Sequence, residues 1–240
     1  MKERPILFSG AMVRALLRDV NPKSQTRRVV MPQPAGRFLS LLKRKLRSEN
    51  DQPVLRAWFR AGPGEQSTRE VTCPYGESGD RLWVRETCRA EELETGLDGV
   101  RYAADDAFRP IANSIEAAER WIDLNAYRGK SGAVVPAIHM PRWASRITLE
   151  VTGVRVERLK DISAADARAE GIEFQEHRIA GDICRSWKAY GSANGWFPEG
   201  RDIAPIHSFQ TLWDSLNAER GYGWAANPWV WVVEFKRIEI

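Results

Sequence analysis

The chain has 240 residues, 43% hydrophobic and 28% charged. That is enough to bury a core without metals or disulfides, and it excludes a collagen-like, coiled-coil or wholly disordered chain. Its net charge of +4 conceals a division: residues 1–60 carry 14 Lys/Arg against 4 Asp/Glu, and the remainder 22 against 28.

Ser9 is placed to cap a first helix, with Met12, Val13, Leu16, Leu17 and Val20 on one face. Asn21-Pro22 ends it, because a residue before proline is pushed out of the helical region. Lys23-Ser24-Gln25-Thr26-Arg27-Arg28 then reads as a cationic loop entering a short extended stretch at Val29-Val30. Residues 32–70 read as irregular, with a basic helix around Phe38–Arg47 and a break at Gly62-Pro63-Gly64. Gly79-Asp80 turns the chain into a strand at Arg81–Glu86, where Leu82 and Val84 alternate with Arg81, Trp83 and Arg85. Residues 90–135 read as an insertion holding a helix near Ser114–Leu124.

Ser145–Glu157 is the clearest strand. Its apolar positions change parity across Gly153, which predicts a bulge there. Ser163 caps a short helix that stops at Gly171. Residues 174–205 read as a long glycine-rich, aromatic loop. Phe209, Leu212, Trp213 and Leu216 mark the face of an amphipathic helix, and Trp229–Ile238 is a closing strand. The pattern predicts an α+β fold built on a small barrel or curled sheet, as one domain with insertions.

No apolar run is long enough for a bilayer span, and Met1-Lys2-Glu3-Arg4-Pro5 leads into no export signal. The cysteines (Cys73, Cys88 and Cys184) lack metal-ligand spacing, so the expectation is a reduced, cytoplasmic, metal-free chain without cofactor. The basic quarter is either a solvated face or a surface for an anionic partner, nucleic acid first.

Three places carry candidate chemistry. Lys23, Thr26, Arg27 and Arg28 put an amine, a hydroxyl and two guanidiniums within six residues. Such a loop either holds phosphates or, with a lysine pKa depressed by burial and neighbouring cations, supplies a base to the hydroxyl. Glu170 sits at the C-terminal end of its helix, against the macrodipole at a cost of roughly 0.3–1 kcal/mol; it is either a hydrated surface carboxylate or recruited for function. Arg142-Trp143-Ala144-Ser145-Arg146 could hold a phosphate and stack a base, or Trp143 could be core. His177 and His207 show no recognisable partner.

Together, the Lys23–Arg28 loop after the first helix, the Gly79–Glu86 strand, the Ile147–Val156 strand and the Trp229–Lys236 strand resemble the ASCH domain family of the PUA-like superfamily, in particular its bacteriophage and prophage members. The resemblance covers about half the chain. It implies a single domain over 1–240: a PUA-like small β-barrel with flanking helices and insertions at 32–70, 90–135 and 174–205. The implied ligand is RNA or a modified nucleobase or nucleoside, with single-stranded DNA as a further candidate. The implied setting is the cytoplasm, that of the host if phage-encoded.

One branch of the family hydrolyses N4-acetylcytidine with a lysine as proton acceptor, a threonine as nucleophile and a glutamate as proton donor. By resemblance these fall on Lys23, Thr26 and Glu170, with Arg27, Arg28, Arg85, Arg142, Trp143 and Arg146 as ligand contacts. The resemblance leaves room for a metal-independent ribonuclease, a non-catalytic nucleic-acid binder or a phage assembly protein. Two features depart from the family. Asn21-Pro22 stands where a glycine usually precedes the lysine, and the chain is about twice the length of the minimal amidohydrolases.

Overall fold

A computed structural model describes residues 1–44, 54–60, 68–192, 195–198 and 203–239. In chain order the elements are β1 (Glu3–Leu7), α1 (Gly10–Leu16), β2 (Gln25–Val29), β3 (Arg37–Arg44), β4 (Val54–Arg60) and β5 (Thr68–Thr72). There follow β6 (Arg81–Arg85), β7 (Cys88–Glu92), β8 (Asp98–Tyr102), β9 (Phe108–Pro110), α2 (Ile115–Asn125) and β10 (Thr148–Arg158). The last are α3 (Ala164–Ala169), β11 (Phe174–Ile179), β12 (Asp182–Lys188), β13 (Trp196–Pro198), α4 (Ile203–Asn217) and β14 (Trp229–Ile238). The fold is mixed α+β, mostly strands in several sheets with few helices. Among the described residues no sheet closes into a barrel, and no helix is long and apolar enough to cross a membrane.

Contacts gather the chain into two compact units. The first comprises Met1–Lys2, Arg18–Asp80 and Glu150–Lys236; the second comprises Glu3–Leu17, Arg81–Leu149 and the chain from Arg237 onward.

In the first unit β14 lies between β10 and β2 and runs antiparallel to β2, with Val233 opposite Thr26 and Glu234 opposite Gln25. Trp229 to Val233 are buried in succession, as a strand covered on both faces requires. Val230 and Val232 join Leu159, Ile162, Ile172, Trp187, Phe209 and Trp213 in a single apolar cluster. The buried positions of β10 do change parity, Leu149 and Val151 before Gly153 and Val156 after it. A Cβ at 153 would lie 2.8 Å from Glu234 Oε2, so a larger residue there would displace that flexible carboxylate.

The first helix ends at Leu16, short of the expected Val20, which is exposed, and the expected loop at Lys23–Arg28 is already strand from Gln25. Two further segments differ from the sequence reading. Residues 37–44 form a strand, not a basic helix, and Arg47 lies outside the described residues. The cause is the partner strand: β4 pairs β3 in an antiparallel ladder, and Phe38 meets Phe59 with ring centroids 5.7 Å apart. Cross-strand packing of this kind overrides local helical preference. Within residues 174–205, expected as a loop, β11, β12 and β13 form a three-stranded antiparallel sheet. Its hairpin turns at Ala180-Gly181, both with positive φ, and Trp187 and Phe174 pack together.

In the second unit β1 runs parallel to β6, and the Val84 N–H donates to the Ile147 carbonyl at 3.0 Å. Residues 90–135 supply β8, β9 and most of a second antiparallel sheet with α2, the helix expected near Ser114–Leu124, which Ser114 caps. Cys88, Val100, Tyr102, Trp121, Met140 and Ala144 form its core.

Candidate active site

The site is built on the two ends of α3 and the start of β2. Ser163 accepts from the Asp166 N–H at 3.0 Å, and the Asp166 carboxylate reaches back to the Ser163 N–H, a capping box that fixes where the helix begins. The helix ends at Glu170, and Gly171 takes φ +81°, the left-handed conformation that glycine adopts without strain.

A helix C-terminus leaves carbonyl groups without intrahelical donors. Here the Lys23–Ser24 loop supplies them. The Ser24 N–H donates to the Ala169 carbonyl at 3.0 Å, and Lys23 Nζ donates to the Glu170 carbonyl at 2.6 Å. The same Nζ lies 3.0 Å from Glu170 Oε2. Both side chains are withdrawn from solvent, 1% and 4% exposed. Glu170, placed against the helix dipole, is thus compensated by a buried cation from a segment 147 residues away.

Arg27 joins them. As the third residue of β2 it shares a face with Gln25 and Val29. Its buried guanidinium donates to Glu170 Oε1 at 3.2 Å, contacts Glu157 of β10, lies 3.4 Å from Asp166 Oδ2 and sits 5.8 Å from the Phe209 ring of α4. Gln25 sits between Arg27 and Asp166. Arg155, two residues from Glu157 on β10, closes the network onto Glu157, Asp166 and Glu234. Four carboxylates and three of the cations therefore interlock.

Thr26 alternates to the opposite face of β2 from Arg27. It is fully buried, and its hydroxyl has no hydrogen-bond partner among the described residues. A buried unsatisfied hydroxyl costs about 1–3 kcal/mol, so its presence asks for a reason. Arg28 is half-buried.

The electrostatics follow from this packing. Burial pushes the Lys23 ammonium below its ordinary pKa; the Glu170 charge and hydrogen bond pull it back up, and Arg28 and Arg27 push it further down. Burial also lowers Arg28, opposed by Tyr75 and Glu170. Burial raises the Tyr75 phenol, with Arg28 acting against it. Burial pushes Asp166 up, but the Ser163 hydroxyl and the charges of Arg27 and Arg155 more than offset it and leave its carboxyl below the usual range.

The structure thus brings Lys23, Arg27 and Glu170 into direct contact. Of the other expected ligand contacts, Arg28 lies in the first unit and Arg85, Arg142, Trp143 and Arg146 belong to the second. Arg85 donates to the Met140 carbonyl at 3.1 Å and to that of Ile138. Arg146 is bound to Glu86 and Asp105, Arg142 to Glu3, and Trp143 packs on that unit's core. His207 meets the Phe197 ring at 5.7 Å. Burial pushes the Cys88 thiol up to about 12, which leaves it a poor nucleophile. Among the described residues no group of three or more His, Cys, Asp or Glu is disposed to hold a metal ion.

Sequence reasoning missed Tyr75, Arg155, Glu157 and Asp166. Asp166 had a visible signal in Ser163-x-x-Asp166. Arg155 and Glu157 had another, opposite charges two apart on a strand just past a glycine.

The chain matches no protein-family model, no curated protein and no solved structure.

Proposed function

We propose that the chain is an ASCH-type, PUA-like domain that takes RNA or a modified nucleobase at the Lys23–Thr26 segment and hydrolyses an amide such as that of an N4-acylated cytidine. One observation carries this reading: Lys23 Nζ and Glu170 Oε2 lie 3.0 Å apart in a buried site, with the unpartnered Thr26 hydroxyl three residues along the chain from the lysine.

The pair shares one transferable proton. In the ion pair it sits on Lys23; in the neutral tautomer it sits on Glu170 and frees the amine. Burial favours the neutral arrangement relative to the charged one. That tautomer contains a base and an acid at once. The Thr26 oxygen attacks the acyl carbon and its proton passes to Lys23. Glu170 protonates the leaving N4 amine as the C–N bond breaks, and Lys23 returns the proton it took to Glu170. Water then releases the acyl group from Thr26 by the same exchange, giving cytidine and a carboxylic acid. Arg28 stands beside the site as a donor for the developing oxyanion.

A second reading has its own observation. The 2.6 Å bond from Lys23 to the Glu170 carbonyl and the Ser24–Ala169 bond are what a purely structural helix cap would show, and the domain would then bind without catalysis.

The test is chromatography of N4-acetylcytidine incubated with wild-type protein, Lys23→Ala and Glu170→Gln. Cytidine appearing with wild type alone supports the hydrolase. Turnover that persists in Glu170→Gln would remove the proton-donor role. No cytidine from wild type removes this substrate and leaves the structural cap as the better account.

A further inference from the structure

The second unit contains a cleft of about 590 Å³ walled by Arg109, Arg142, Arg146 and Arg237, with Trp143 and Ile238 between them. That volume falls within the ordinary range of small-ligand pockets. The four guanidiniums are not equivalent.

Arg146 is committed. It grips Glu86 at 2.8 and 2.9 Å and Asp105 at 2.8 and 2.9 Å, and it lies 4.1 Å over the Tyr102 ring. Arg142 donates to Glu3 at 3.1 and 3.3 Å and sits 5.8 Å over Trp83. These two form fixed wall. Arg109 and Arg237 are exposed, and among the described residues neither forms an ion pair. Arg109 makes one long bond, 3.4 Å, to the Ser145 carbonyl. Glu239 is the single carboxylate among the lining residues. The uncompensated charge of the cleft is therefore carried by Arg109 and Arg237, with a half-buried indole beside it.

Guanidinium forks match phosphate oxygens in geometry and charge, and an aromatic ring next to them offers a stacking surface for a base. We propose that this cleft binds the phosphate and base of a nucleotide unit, with Arg109 and Arg237 on the phosphate and Trp143 under the base. The inference rests on the nucleic-acid reading above for its class of ligand and names a second place where that ligand is held. The phosphate-and-base chemistry is shared by a single strand and a free mononucleotide.

The test is fluorescence anisotropy of a labelled single-stranded oligoribonucleotide with the full chain across a salt series, with unlabelled UMP and unlabelled strand as competitors. Its readout is binding alone, so a protein that never hydrolyses N4-acetylcytidine leaves the result standing. Arg109→Ala and Arg237→Ala should each weaken binding and lower the slope of log affinity against log salt by about 0.7. Trp143→Ala should lose about tenfold or more. Because that residue also packs on the core, the two exposed arginines are the decisive variants. Arg178→Ala, an exposed arginine of the β11–β12 hairpin, removes the same charge elsewhere and should leave the slope unchanged. Competition by UMP equal to that of the strand assigns a mononucleotide to the cleft; competition by the strand alone assigns a polymer. Affinity and slope unaltered in both arginine variants, or an equal drop in Arg178→Ala, or no binding of either probe, would overturn the proposal.

Discussion

Each unit of the molecule buries an arginine among carboxylates, and the two clusters finish differently. In the second unit Arg146 meets Glu86 and Asp105 with four hydrogen bonds, both carboxylates engaged through both oxygens. Both carboxylates there are held by a guanidinium that keeps its charge at any accessible pH. In the first unit Arg27 meets Glu157, Asp166 and Glu170, but Glu170 also binds Lys23, an amine whose pKa burial pushes below its ordinary value against the pull of Glu170. Three residues along the chain from that lysine, the buried Thr26 hydroxyl has no hydrogen-bond partner among the described residues. The second unit's cluster is a rivet; the first unit's is the one that, in the proposed mechanism, holds a proton that moves.

The largest expected effect breaks both clusters in parallel. Removing one partner of a buried ion pair costs about 3–5 kcal/mol, because a charge is left uncompensated. Glu86→Gln should cost about that much at neutral and alkaline pH, since an arginine does not release its proton, and less in acid, where burial raises the Glu86 pKa and the carboxylate itself takes up a proton. Glu170→Gln should cost a similar amount near neutrality and less in alkali. Its Lys23 loses the carboxylate that raised its pKa, so the folded-state value falls further below the unfolded value of 10.5. Between the two values the unfolded chain binds more protons, so stability rises with pH across that window. Urea denaturation of both variants at neutral and alkaline pH measures this. A cost for Glu170→Gln as flat with pH as that of Glu86→Gln would show that Lys23 is held as a permanent cation, and the tautomer mechanism would fail with it.

Thr26→Val sharpens the same contrast with an isosteric change. Valine suits the middle of β2 and removes an unsatisfied hydroxyl, so the variant should be more stable by about 1 kcal/mol while losing turnover. A structural hydroxyl would give the reverse, a loss of stability with turnover kept. Thermal melts together with the N4-acetylcytidine assay separate the two outcomes.

Acid tests both clusters through their carboxylates. Asp166 is held below its usual range after burial is offset by Ser163, Arg27 and Arg155. Asp105 is likewise low: burial raises it, and Arg146 with the Ala107 N–H more than reverses that. A depressed carboxylate contributes stability above its unfolded pKa, and the contribution disappears as pH falls through the folded one. Stability should therefore decline below about pH 4, and Asp166→Asn should flatten that decline. Denaturation midpoints at successive acid pH values would show it; an unchanged pH slope in Asp166→Asn would mean that other carboxylates govern acid unfolding.

What the sequence disclosed and what it hid divide along physical lines. The closing strand, the Ser163-capped helix, the helix near Ser114–Leu124 and the Phe209–Trp213 face were legible, because each is set by local signals and by a period that the chain carries within itself. Glu170 was legible as an anomaly, a carboxylate at the wrong end of a helix, but its compensation was not, because Lys23 and Arg27 come from about 145 residues away. The ladder from β3 to β5 and that from β11 to β13 were hidden for the same reason: Phe38 and Trp187 become strand residues through the partners opposite them. Arg146 read as a phosphate ligand from its neighbours in sequence. Its partners Glu86 and Asp105, distant in the chain, are what give it a structural role.

The smallest expected effect concerns Arg142, the counterpart of Arg146 that is paired in the open. Its contact with Glu3 has side chains 41% and 38% exposed, and an ion pair in that setting contributes about 0–1 kcal/mol because water and salt screen it. The Arg142 stack over Trp83 adds a similar small amount. Arg142→Ala should therefore shift the melting temperature by no more than about 2–4 °C, the shift expected for a change of about 1 kcal/mol in a chain of this size. Arg146→Ala, which strands Glu86 in the interior, should shift it several times further. Equal shifts from the two would mean that burial is not what separates the wall of the cleft from the core beneath it. The distinction between committed and available guanidiniums, on which Arg109 and Arg237 were assigned to a ligand, would then lose its footing.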